Sequence, residues 1–334
     1  MTVDQTLATL SYHLFSVTVV VYSLAVVAFC AQLAFGRRPV RARQRELVGA
    51  GAPVVESIPP VDRALPRPAA EPGRRWGQLA VALMVVGIGT HVATMVTRGL
   101  AAHRLPWGNM YEFATAVVLV ATVAFTILAL RAPGLRHIGV FVLGPVVVAM
   151  VMIGLYLNTP DGPLVAALRS YWLGIHVTMA ILGFGIFFVS GIASVLYLVR
   201  ARYEARVTVG TAPAVDEPGA GLGIAARLPA AAALDRVAHR TVIFGFPIWT
   251  FAVIAGAIWA ESAWGRFWGW DPKETWAFIA WVTYAAYLHA RTTAGWRGRP
   301  AAWVNIVGLC VMVFNLLYVN FVSTGLHSYA GLSK

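Results

Sequence analysis

Charge is scarce in this chain. Asp, Glu, Lys and Arg make up only 12% of its 334 residues, against about 25% in soluble globular domains. The length would allow two soluble domains, but that shortage argues against them. Cysteine is scarcer still. Cys30 and Cys310 stand far apart and form no CxxC pair, so both read as buried structural thiols. Short alternating segments joined by Asn-Gly turns are missing, which argues against strands. The sequence offers no glycine-rich phosphate loop and no Ser/His/Asp nucleophile set. It also lacks the internal repeat that marks many transporter folds.

What the chain does have is apolar length. Hydrophobic residues make up 59% of it. Eight uncharged apolar stretches stand out: 14–35, 76–96, 113–130, 138–157, 171–199, 241–260, 276–290 and 301–322. A spanning helix needs about 20 residues; the seventh stretch reaches that length only if its helix begins near Pro272. In hydrocarbon the backbone must satisfy its own hydrogen bonds, so these stretches are expected to be helices. Pro145 and Pro247 are expected to kink two of them. The fold class that follows is all-α: a polytopic integral membrane protein with about eight transmembrane helices. Residues 1–334 then form a single multi-pass domain in the cell (plasma) membrane.

A net charge of +12 could suggest nucleic acid, but its distribution points to the lipid bilayer instead. If the N-terminus lies outside, segments 36–75, 131–137, 200–240 and 291–300 are cytoplasmic, and they carry 20 of the 26 Lys and Arg. The positive-inside rule then gives an N-out, C-out topology, and no nucleic-acid partner is implied. The first apolar stretch is too long for a signal-peptide core and follows no basic region, so it is expected to stay as an anchor. Segments 36–75 and 200–240 read as irregular cytoplasmic loops.

Tryptophan is concentrated. Residues 259–276 read WAESAWGRFWGWDPKETW and hold Trp259, Trp264, Trp268, Trp270 and Trp276, five of the chain's 12. An interfacial aromatic belt accounts for one or two Trp at a helix end. It accounts less well for WGRFWGWD, where Gly265 and Gly269 let the backbone turn between the aromatics. Asp271, Pro272 and Glu274 suit the N-cap, first and third positions of a helix, so both carboxylates read as caps before catalysts. The result is an external Trp-rich loop, 259–276. It could hold a large planar apolar ligand on its indole faces, with Arg266 and Lys273 for anionic groups. Haem, a macrocycle with two propionates, fits that description.

The segment WGRFWGWDPKETW resembles the WWD signature of haem-handling membrane proteins. The likeness extends over residues 234–291 and continues in STGLHSYA at 323–330. It is weaker in GLAAHRLPWGNMYEF at 99–113. On these residues the chain resembles the CcsA/ResC-type cytochrome c biogenesis proteins of the system II cytochrome c synthase, over most of its length beyond residue 76. The resemblance implies a haem-delivery subunit of a synthase (haem lyase) complex. That subunit presents non-covalent haem b at the outer membrane face for thioether attachment to the CxxCH of apocytochromes c. The implied partners are a ResB/Ccs1-type membrane protein, the apocytochrome and its thioredoxin-like thiol reductants. The implied outer site includes Trp264, Trp268, Trp270, Asp271 and Trp276, with His176 and His327 on the iron. The implied inner site is His289, whose companion ligand comes from the partner. The reactive thiols belong to the substrate, so no residue of this chain is assigned as catalytic. The chain has no CxxCH of its own and is not expected to carry covalent haem.

Position along the helices agrees with this mapping. His176 lies about one turn into the fifth stretch, and His327 lies just past the eighth. Two imidazoles can fill both axial positions of a haem iron. His289 is 17 residues past Pro272, about 25 Å at 1.5 Å per residue and close to the hydrocarbon thickness. It therefore cannot share a haem with the other two. His91, deep in the second helix, suits a hydrogen bond to a neighbouring helix or a place on a haem path equally well. His103 reads as a surface or supporting group, and His13, His137 and His239 as interfacial. Arg98 and Arg104 are further outer cations that could meet a propionate. Two alternatives stand beside this reading. One is the haem-handling or export subunit of the other bacterial cytochrome c maturation pathway, and the other is a cofactor-free membrane transporter.

Overall fold

The computed structural model describes residues 3–36, 73–159, 170–212, 223–323 and 325–327. Most of segment 36–75, part of 200–240 and the tail beyond His327 lie outside them. The described residues form helices and connecting turns, with no strand among them. Seven helices are long and apolar enough to cross a membrane. They are α1 (Gln5–Phe35), α2 (Arg74–Ala101), α3 (Met110–Arg131), α4 (Gly139–Met152) with its flanking 3-10 and π turns, α5 (Tyr171–Thr208), α7 (Ala231–Trp264) and α9 (Arg299–Phe321). Between α5 and α7 lies the single turn α6 (Ile224–Arg227). The stretch 276–290 becomes α8 (Pro272–Thr292) and starts at Pro272 as expected. It falls short of the other seven because Lys273, Glu274 and Arg291 join a run of Thr and Tyr.

Local chemistry starts these helices. The Asp4 carboxylate accepts the Thr6 and Leu7 N–H groups, Asn109 accepts Glu112 N–H, and the Ser170 hydroxyl accepts Trp172 N–H. Asp271 and Glu274 form the reciprocal capping box read from the sequence. At 38 residues, α5 is about 57 Å long against roughly 30 Å of hydrocarbon. Its last turns, with Arg200, Arg202 and Arg206, therefore extend past the apolar slab.

Hydrogen bonds fix which helix ends share a level. Asp4 N–H donates to Ala101 O, so α1 starts where α2 stops. From the same level, Arg98 reaches Glu112 at the start of α3 and Thr159 O beyond α4. His176, in the second turn of α5, meets Ala252 and Trp259 in the last turns of α7. Asp271 at the start of α8 binds Leu326 and His327 beyond α9. This level is the tryptophan end. At the opposite, basic end Arg227 caps the Leu33 and Ala34 carbonyls of α1. There, too, Arg291 pairs with Asp235 at 2.6 Å, joining the end of α8 to the start of α7. Helix α8 thus runs the whole distance between the ends, and Asp4 and Phe321 share the tryptophan end.

Packing is uneven. Helix α5 lies along α7, α1 along α2 and α8 along α9, whereas α7 meets α8 much more sparsely. A buried polar node ties three helices together. Asn305 Nδ2 donates to Ser190 Oγ (2.8 Å) and Ser194 Oγ (2.7 Å), and Ser190 Oγ donates to Ala238 O. His91 is fully buried and hydrogen-bonds Tyr22 of α1 at 3.2 Å, which favours the interhelical reading of that residue.

Candidate functional site

The tryptophan end is organised around one indole. Trp259, in the last turns of α7, is 2% exposed. The His176 ring stacks on it, with centroids 5.8 Å apart and planes 11° from parallel. The His327 ring meets it edge-on at 5.7 Å, and Trp264 meets His327 edge-on at 5.0 Å. Two histidines separated by 151 positions in the sequence therefore enter one aromatic cluster and line one cleft.

Each imidazole is held by its Nδ1. His176 Nδ1 lies 2.8 Å from Ala252 O, and His327 Nδ1 lies 2.8 Å from Asp271 Oδ2. A neutral ring that donates through Nδ1 keeps its lone pair on Nε2, the nitrogen a metal would take. Helix α7 makes room for the first ring at Gly256, where a Cβ would come within 2.7 Å of His176 Cε1.

Asp271 serves both sides of the site. Its Oδ1 accepts Leu326 N–H (2.8 Å), and its Oδ2 accepts Lys273 N–H (3.2 Å) besides facing His327. Burial alone would raise its carboxyl. The hydrogen bonds from His327 and from the Leu326 and Lys273 N–H groups outweigh that and hold it below its ordinary value.

The expected loop 259–276 is much shorter than the sequence suggests. Trp259 and Trp264 are helical residues of α7 and Trp276 belongs to α8, leaving 265–271 as the turn. Gly265 closes α7 in the left-handed region at φ 70°. Trp270 sits at φ 57°, uncommon for a residue with a side chain, and is 66% exposed. Its ring meets Trp268 and Phe278 edge-on. Trp268 walls the cleft, but Trp276 packs on Phe314 of α9 at 4.3 Å and is not part of that wall. The Arg266 side chain folds across Gly269 and stands 3.9 Å from Glu274 Oε2. Arg98 and Arg104, read as outer cations, turn inward onto the fully buried Glu112 at 3.1 and 2.7 Å. Trp249 also walls the cleft, and nothing in its sequence context marks it.

The cleft between His176 and His327 measures about 60 Å³, room for a few waters. Its lining suits an iron macrocycle in kind: two imidazoles, indole faces and the Lys273 cation. Its volume, with α7 and α8 as they stand, does not suit one. His289 stands apart, exposed on α8 at the basic end. His239 is at that end too, but its ring neighbour is the buried Tyr287, at 6.2 Å. Residues 287 and 289 lie about 200° apart around a helix, so His289 and His239 face different ways.

The family model for the Cytochrome C assembly protein matches residues 107–327. The chain is 35% identical over 306 residues to the cytochrome c biogenesis protein CcsA of Gloeobacter violaceus, covering 77% of this chain and 86% of that one. It is 36% identical over 270 residues to the protein of the same name from Synechococcus elongatus, covering 71% and 82%. Among solved structures, the cytochrome c haem lyase CcmF superposes with a TM-score of 0.60 at 18% identity, over 97% of this chain. The likeness to CcmF is one of fold, and this chain spans 48% of it.

Proposed function

Because the chain belongs to the cytochrome c assembly protein family and so serves cytochrome c maturation, we propose that it is the haem-holding subunit of a cytochrome c synthase. In this reading His176 and His327 ligate the iron of non-covalent haem b at the tryptophan end. Trp259, Trp264 and Trp268 contact the macrocycle, and Lys273 faces a propionate. The tryptophan end is extracytoplasmic, which puts both termini outside and the basic end in the cytoplasm, in accord with the loop charges. Haem supplies the vinyl groups that receive the CxxCH thiols of an apocytochrome c kept reduced by thioredoxin-like proteins. His289 belongs to an inner site near the cytoplasm, and a ResB/Ccs1-type membrane protein supplies the second ligand there.

One observation carries this reading. His176 and His327 each have Nδ1 engaged by an oxygen and line the same cleft, the usual arrangement of metal-binding imidazoles. The test is the absorption spectrum of the chain purified with its partner. His176→Gly and His327→Gly should each lose most outer-site haem, and added imidazole should restore it. Full haem content and normal cytochrome c maturation in both variants would refute the assignment.

A further inference from the structure

The first turn of α8 holds a group that ligand holding does not use. Glu274 is 9% exposed and walls the cleft together with His176, His327 and Lys273. Its Oε2 is engaged, accepting Gly269 N–H (2.8 Å) and Asp271 N–H (3.1 Å) to complete the capping box. Its Oε1 is buried and has no hydrogen-bond partner among the described residues. A buried carboxylate oxygen without a donor is unfavourable, so a visitor to the cleft should bring one. Haem does not, because at neutral pH its edge presents methyl, vinyl and ionised propionate groups. A CxxCH segment does, because a thiol S–H is a donor.

We propose that Glu274, through Oε1, accepts the proton of the substrate thiol as its sulfur adds to a haem vinyl group. The inference rests on the haem-presenting reading above. Glu274 takes the S–H proton, and the sulfur bonds to the vinyl carbon next to the ring. The vinyl π pair forms a C–H bond at the terminal carbon with the proton that Glu274 returns. One S–H bond and one π bond break, one S–C bond and one C–H bond form, and no electrons are gained or lost overall. The Oε2 hydrogen bonds keep the carboxylate in one orientation while Oε1 exchanges the proton.

Glu274→Gln separates this role from capping, since the amide oxygen can still accept the Gly269 and Asp271 N–H groups. The protein is used with its membrane partner, loaded with haem and given a CxxCH peptide. The variant should bind as much haem as the wild type, with the same absorption spectrum. Its attachment rate should fall by about 100-fold or more, from the low end of what a positioned general base contributes. The deficit should shrink between about pH 7 and about pH 9, as the thiol (ordinary pKa about 8.5) ionises unaided. In the haem-free complex, iodoacetamide should alkylate the bound peptide more slowly with the variant. Wild-type attachment, unchanged alkylation, a deficit that alkali does not relieve, or a deficit with loss of haem would each overturn the proposal. Full haem retention by His176→Gly and His327→Gly would instead refute the underlying reading, whatever Glu274→Gln does.

Discussion

Asp271 joins two parts of the chain with one carboxylate. It starts α8 through Lys273 N–H and holds the segment after α9 through Leu326 N–H and the His327 ring. A carboxylate behind a ligating histidine fixes its tautomer and increases its basicity, and losing it typically costs about 10–100-fold in metal affinity. Asparagine caps a helix about as well as aspartate but carries no charge. Asp271→Asn should therefore leave helicity unchanged by circular dichroism while haem titration shows affinity about 10–100-fold weaker. Affinity equal to that of the wild type would mean that His327 does not depend on this partner. Trp270 adds a second feature at this scale. An aromatic residue held at φ 57° and mostly exposed is the kind of local strain that persists where function selects it.

At the scale of elements, the turn from α2 to α3 depends on one anion. Glu112, with no exposed surface, takes Arg98 on one oxygen, Arg104 on both, and the Gly108 N–H as well. Removing one partner from a buried charge cluster typically destabilises by about 3–5 kcal/mol. Glu112→Gln should lower the thermal unfolding midpoint in detergent clearly, whereas Glu204→Gln, whose carboxylate is 40% exposed, should change it less. An unchanged midpoint in Glu112→Gln would show that the two guanidinium groups find other partners. The Glu112 cluster was not legible in the sequence, and the reason is physical. Hydropathy and capping are local, so the helices and the Asp271–Glu274 box could be read directly. Helical periodicity tells which residues share a face but not what that face meets. Hence Arg98 and Arg104 looked like outer cations, Trp276 looked like part of the Trp site, and Gly256 and Trp249 carried no signal. The histidine pair was legible through the motif resemblance and its position near two helix ends, and the shared indole between them only through packing.

At the scale of the molecule, the cleft lies on a boundary between helix pairs. His176 belongs to the close α5–α7 pair, while Asp271 and His327 belong to α8, α9 and the segment beyond. The α7–α8 contact between them is sparse. A macrocycle cannot enter a cleft of about 60 Å³ without widening that boundary. Ala257 of α7 and Ala277 of α8 both wall the cleft. Ala257→Cys with Ala277→Cys, in a background lacking Cys30 and Cys310, should accept a short cleavable cross-linker. Cross-linked protein should fail to take up haem, keep haem loaded beforehand, and recover uptake when the linker is cleaved. Uptake unaffected by the cross-link would place the route elsewhere.

The polar character of α8 also bears on how the protein is made. A helix that carries Lys273, Glu274 and Arg291 gains little by leaving the translocon on its own, whereas the apolar α9 packed along it can bring it into the lipid as a hairpin. A nascent chain arrested before Arg299 would leave α8 stranded in water. Its tryptophan pocket would lack His327, and Asp271 would be without its partners beyond α9. The ability to hold a ligand there would arise only as the last helix emerges from the ribosome.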